Sequence, residues 1–141
     1  MHFLDRLSRY ASLVRFSHTV FALPFAFASL ALAWPNRPVT LRVFLWVLVA
    51  MVAARTAAMG FNRLVDRKFD TLNPRTSLWE LPQGKVKVWE AALLTVLTSL
   101  VFIFAAYKLN PICFALSPLA LTIVFFYSLT KRFTWLSHLF L

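Results

Sequence analysis

Asn62, Asp66 and Asp70 stand at successive four-residue steps in the run from Gly60 to Asp70, at the end of a hydrophobic segment. The chain has only five acidic residues, so two of them in one short run point to a task. On a helix, steps of four place side chains on one face, with neighbours about 5–6 Å apart. Hard divalent cations such as Mg²⁺ prefer carboxylate oxygen and hold substrate phosphates with one or two carboxylates plus water. The chemistry this pattern allows is a Mg²⁺–diphosphate site at a membrane surface. The plain alternative is a pair of membrane-edge carboxylates neutralised by Arg63, Arg67 and Lys68.

A polar stripe running back into the apolar segment favours the site. Arg55 precedes Asn62 by seven residues and Asp66 by eleven, offsets that return to nearly the same face at 3.6 residues per turn. A charge that deep in an apolar span is costly unless it faces a polar cavity or a partner. Arg55, Asn62, Asp66 and Asp70 therefore read as one wall of a pocket. Arg75 and the pair Lys131–Arg132 sit where basic side chains can meet diphosphate oxygens, or serve as topology charges and headgroup contacts. Arg15, at the start of the first apolar segment, either faces the same cavity or snorkels to the interface. Tyr127 lies four residues before Lys131, on one helix face with it. The fifteen phenylalanines suit lipid-facing surfaces; the functional option is a channel for an isoprenoid tail or shielding of a cation by ring faces. His18 and His138 lack metal-ligand spacing, and the chain has no phosphate-cradling glycine loop, Cys/His cluster or serine nucleophile elbow.

The elements that must position these residues are helices in a membrane. The chain is 60% hydrophobic and 14% charged over 141 residues, too apolar for an ordinary soluble domain. A net charge of +10 would suggest nucleic acid in a soluble protein, but here the basic residues cluster between apolar runs, as topology signals do. Four segments approach the ~20 apolar residues needed to cross a bilayer: Phe16–Trp34, Val43–Phe61, Val88–Tyr107 and Ile112–Thr130. The first has the length of a retained helix, an interior Pro24 and no polar cleavage region, unlike a signal peptide. Arg6, Arg9 and Arg15, the basic residues from Arg63 to Lys87, and Lys131–Arg132 fall on one side, leaving Arg37, Arg42 and Lys108 on the other. The positive-inside rule places both termini and the Asp-bearing loop in the cytoplasm. Trp34–Pro38 and Leu109–Pro111 read as outer turns and 68–86 as the one substantial loop. Cys113, the single cysteine, excludes an internal disulfide. The predicted fold class is an all-α membrane protein with four transmembrane helices.

Phe16–Ala26, Asn62–Asp70, Asn73-Pro74-Arg75-Thr76 and Tyr127–Arg132 together resemble the UbiA superfamily of intramembrane aromatic prenyltransferases. The wording is closest to the menaquinone-pathway branch labelled 4-hydroxybenzoate polyprenyltransferase-like, and the match covers essentially the whole chain. The resemblance implies a bundle of nine transmembrane helices around a central cavity, in a bacterial inner membrane. It implies Mg²⁺ on Asn62, Asp66 and Asp70, with Asp66, Asp70 and Lys131 catalytic. Arg15, Arg55, Arg75, Tyr127 and Arg132 would bind the substrates, a polyprenyl diphosphate and an aromatic acceptor such as 4-hydroxybenzoate. The other partner is the lipid bilayer, and none is nucleic acid.

Two positions depart from the family pattern. Many relatives carry a second Asp where this chain has Arg63, although Arg is a known variant of the motif, and an Arg where it has Trp79, so one expected diphosphate contact has no arginine. The family also uses a second Asp-rich motif on a later helix, and no acidic residue follows Glu90 here. Residues 1–141 therefore read as the N-terminal part of a single domain, expected to be inactive alone. The alternative from another class is a small transporter or assembly subunit whose Asp/Arg stripe lines an ion or lipid path. Discontinuous helices would favour it, and Pro24 and Pro118 fall mid-span in the first and fourth segments.

Overall fold

The fold is given by a computed structural model that describes residues 2–14, 21–33 and 39–130; these form five helices, with no strand among the described residues. They are α1 (His2–Leu13), α2 (Leu23–Ala33), α3 (Leu41–Leu72), α4 (Val88–Leu109) and α5 (Pro111–Thr130). The last three are long and apolar enough to cross a membrane, and α2 is a shorter apolar helix. Of the first predicted span, residues 16–20 and Trp34 lie outside the described residues. Pro24 lies in the first turn of α2, a position proline tolerates well. Pro118 lies inside α5, which runs on through it.

Two elements differ from their sequence expectation for the same reason. Helix α1 falls in no apolar segment, and α3 continues eleven residues past the predicted end at Phe61. Hydropathy marks where lipid ends, not where the helix ends. The residues from Asn62 to Leu72 include Arg, Leu and Lys, which are good helix formers. At 1.5 Å per residue the 32 residues of α3 span about 48 Å, well beyond the ~30 Å hydrocarbon core. Thr40 caps its start, the hydroxyl accepting the Val43 N–H at 3.3 Å. The connecting loop accordingly starts at Asn73 rather than at residue 68.

The projecting end of α3 is held in a folded cap. Leu13 of α1, Leu81 and Val86 of the 73–87 segment and Ala91 of α4 form a buried cluster, with Tyr10, Leu64 and Leu94 packed against it. At the charged end of the bundle this apolar surface is removed from water, where the hydrophobic effect operates fully. Helix α4 begins in the same region, with the Glu90 carboxylate accepting the Lys87 N–H at 2.8 Å. Along the spans the packing is different. Apolar side chains such as Leu97, Val101, Leu119 and Ile123 are exposed, as lipid-facing residues are. Ring contacts join the helices: Phe27 to Phe44 (5.7 Å between centroids), Trp46 to Phe104 (5.6 Å) and Phe61 to Phe125 (4.4 Å).

Small residues bring α3 and α4 together. Ala53, Ala57 and Gly60 are buried on α3, and Thr95 is buried on α4. Lipid tails supply no hydrophobic drive between helices, so close backbone approach at small residues does the work of packing. A Cβ added at Gly60 would stand 2.5 Å from Thr95 Oγ1, a hydroxyl that already donates to the Ala91 carbonyl at 2.8 Å. Gly60→Ala is expected to destabilise by about 1–3 kcal/mol, outweighing the gain of up to ~1 kcal/mol in helix propensity. The thermal midpoint in detergent should fall, and Thr95→Ala should relieve most of the loss. An unchanged midpoint in the single variant would contradict the close approach.

Candidate functional site

Helix α3 carries most of the candidate residues, and its register sorts them. At about 100° per residue, Asn62 and Asp66 lie about 20° to either side of the Arg55 line, and Asp70 lies about 40° beyond Asp66. Arg63 lies about 20° beyond Asp70, because seven residues make nearly two turns. The three oxygen donors thus step round the helix by about 40° each and cover an arc of about 80°. Burial rises along the arc: Arg55, Asn62 and Asp66 are half-buried, while Arg63 and Asp70 are 6% and 8% exposed.

Arg63 lies at the edge of this arc. Its Nε donates a long hydrogen bond (3.4 Å) to the Leu13 carbonyl at the end of α1. Its guanidinium lies over the Trp79 indole, 3.5 Å from the ring centroid, a cation–π contact that gains strength with desolvation. Its Nη1 is 3.9 Å from Asp70 Oδ2, an ion pair without a hydrogen bond, since that oxygen is buried with no hydrogen-bond partner. The two positions at which the chain departs from the family pattern are therefore in contact with each other. Neither Leu13 nor Trp79 was a sequence candidate. The seven-residue step from Arg63 to Asp70 was the one available signal.

The 73–87 segment is ordered by its own bonds. The Arg75 N–H donates to Asn73 Oδ1 at 3.0 Å, and the Thr76 hydroxyl donates to the Asp70 carbonyl at 3.0 Å. Ser12 of α1 donates to the Glu80 carboxylate. Gly84 closes the next turn at φ 68°, the left-handed region that costs residues with a Cβ. The Arg75 side chain is exposed at the edge of this cap rather than paired with either Asp.

The remaining candidates are dispersed. Arg55 is half-buried within the apolar stretch of α3, and its Nε is buried with no hydrogen-bond partner. Tyr127 is half-buried on α5, near the Phe61–Phe125 stack that joins α5 to α3. Arg15, Lys131 and Arg132 lie outside the described residues. An apolar groove of about 850 Å³, lined by Leu30, Val43, Val47, Leu109 and Cys113 among others, opens at the opposite end of α3. It is remote from the carboxylates.

Among the described residues, no three His, Cys, Asp or Glu side chains gather into a metal-binding group. The α3 faces offer two carboxylates and one amide. That donor set fits a hard divalent cation which keeps several waters and takes phosphate oxygens, and it is too small to enclose the ion alone.

Comparison with known proteins bears on the family and the fold. A sequence model described as the UbiA prenyltransferase family matches residues 22–141. The chain is similar to a 4-hydroxybenzoate octaprenyltransferase of Shewanella loihica, at 31% identity over 100% of this chain and 50% of the relative. It is also similar to one of Methylobacillus flagellatus, at 40% identity over 72% of this chain and 34% of the relative. Among solved structures, the apo structure of a UbiA homolog from Aeropyrum pernix K1 matches with a TM-score of 0.82 at 37% identity, over 88% of this chain and 44% of that one. The chain spans about half the length, or less, of the curated relatives it matches.

Proposed function

Because the chain belongs to the UbiA prenyltransferase family, we propose that this protein transfers a polyprenyl group from its diphosphate to an aromatic ring, 4-hydroxybenzoate or a related quinone precursor. The observation that carries the reading is the stripe Arg55–Asn62–Asp66, continued by Asp70, on a helix that crosses the hydrocarbon and emerges from it. Asp66 lies about 37 Å along α3 from Leu41, at the level where a lipid-borne diphosphate meets water. The stripe then runs inward to Arg55, below the bilayer edge.

Each residue has a task set by its place. Asn62, Asp66 and Asp70 present oxygen donors for Mg²⁺, which when bound offsets the charge of the leaving diphosphate. Arg75, exposed at the edge of the cap, reaches diphosphate oxygens without the desolvation cost of a buried charge. Lys131, Arg132 and Arg15 are proposed to complete the cationic rim. Arg55 holds the acceptor carboxylate in the membrane, and Tyr127 borders the same space. Preorganised charge at the leaving group and exclusion of water around the cationic prenyl carbon supply the rate enhancement. The charge asymmetry of the chain supports placing this end of the bundle in the cytoplasm, and its bacterial relatives support a bacterial inner membrane.

Membranes containing the protein as its gene encodes it, given a polyprenyl diphosphate and 4-hydroxybenzoate, are expected to form the prenylated acid. Consumption of the diphosphate with no acceptor-dependent product would overturn the reading.

A further inference from the structure

We infer that a small cavity in the cap, lined by Arg9, Tyr10, Lys85 and Lys87, binds the phosphate group of an anionic phospholipid in the cytoplasmic leaflet. The cavity measures about 160 Å³ and lies between α1, the 73–87 segment and the start of α4. That is room for a few waters or one tetrahedral oxyanion. Gly84, Val86 and Glu90 complete the lining. No lining residue is on α3, so the cavity is distinct from the stripe of Arg55, Asn62, Asp66 and Asp70.

The backbone gathers the cations. Gly84 turns the chain at φ 68°, and the Lys85 and Val86 N–H groups both donate to the Glu80 carbonyl, at 2.9 and 3.3 Å. Val86 is buried in the core cluster, while Lys85 and Lys87 on either side of it are exposed. Lys87 is extended, and in extended backbone residues two apart point the same way. Arg9 comes from α1, where its neighbour Tyr10 packs against the same cluster. Three cations thus line one cavity with a single carboxylate, that of Glu90, which already accepts the Lys87 N–H. Among the described residues, none of the three makes an ion pair. Like charges gathered in this way repel, and an anion between them relieves the repulsion.

The level of the cavity favours lipid over free phosphate as the source. The 22 residues of α4 span about 33 Å, close to the ~30 Å hydrocarbon core. Lys87 therefore stands at the membrane edge, where lipid phosphates lie. Trp89 beside it is exposed, as interfacial tryptophans are. A basic residue near an anionic leaflet gains roughly fivefold in affinity.

The test uses the protein as its gene encodes it, in a neutral detergent, and follows the thermal midpoint against added ligand. The ligands are dioctanoyl phosphatidylglycerol, dioctanoyl phosphatidylcholine and inorganic phosphate. Phosphatidylglycerol is expected to raise the midpoint at a concentration about tenfold lower than either of the others. Lys85→Gln combined with Lys87→Gln should raise the concentration needed by roughly tenfold or more, and Arg9→Gln by about fivefold. Lys68→Gln, which removes a charge from the same end of the bundle, should change it by less than about twofold. All four positions are exposed, so the midpoint without ligand should stay where it is. An equal loss in Lys68→Gln would overturn the site in favour of diffuse surface charge. Inorganic phosphate acting as well as phosphatidylglycerol would overturn lipid as the source, and no rise with either would overturn the cavity as an anion site.

Discussion

Replacement of Asp66 by Asn is expected to lower prenyl transfer by at least about a thousandfold, a loss of roughly 4 kcal/mol of transition-state stabilisation. The substitution keeps size and one oxygen donor and removes only the charge. This leaves two neutral amides and the Asp70 carboxylate to hold a divalent cation, a weaker set for a hard ion. Insertion should be unaffected, because each helix satisfies its own backbone hydrogen bonds in lipid. Transfer rates measured beside the amount of membrane-integrated protein check this. Activity near that of the unsubstituted protein would remove Asp66 from the metal site.

Arg55→Leu is expected to separate stability from function. Its Nε is buried with no hydrogen-bond partner, and a charge within a span is costly when uncompensated. Without substrate, an apolar side chain of similar reach should leave the thermal midpoint equal or higher. With the acceptor, the same change removes a charge-assisted hydrogen bond to its carboxylate, worth about 1.5–3 kcal/mol. The KM for the acid should therefore rise by roughly ten- to a hundredfold, with the KM for the prenyl diphosphate little changed. An Arg55→Leu protein that is less stable, with an unchanged acceptor KM, would make Arg55 a structural residue.

How far the sequence was legible depends on what each element answers to. Helices α4 and α5 were readable to within two residues at either end, because in lipid the apolar run and the helix coincide. Helix α3 was readable only to the membrane edge, and α1 not at all, since both continue in water under packing forces that hydropathy does not report. The four-residue spacing of Asn62, Asp66 and Asp70 was visible as a pattern. The burial of Asp70 beside Arg63 was not, because it depends on the elements packed against the end of α3. Arg63 read as a neutralising charge and Trp79 as a missing arginine. Their contact joins residues on separate elements, and the Leu13 carbonyl that completes it lies 50 positions from Arg63. No local pattern encodes such a meeting.

Metal removal tests the central claim most directly. Membranes containing the unsubstituted protein, a labelled polyprenyl diphosphate and 4-hydroxybenzoate should be assayed with excess chelator and again after Mg²⁺ is restored. The account predicts that transfer falls to background with the chelator and returns with Mg²⁺. Transfer that persists at its full rate in the chelator would contradict it.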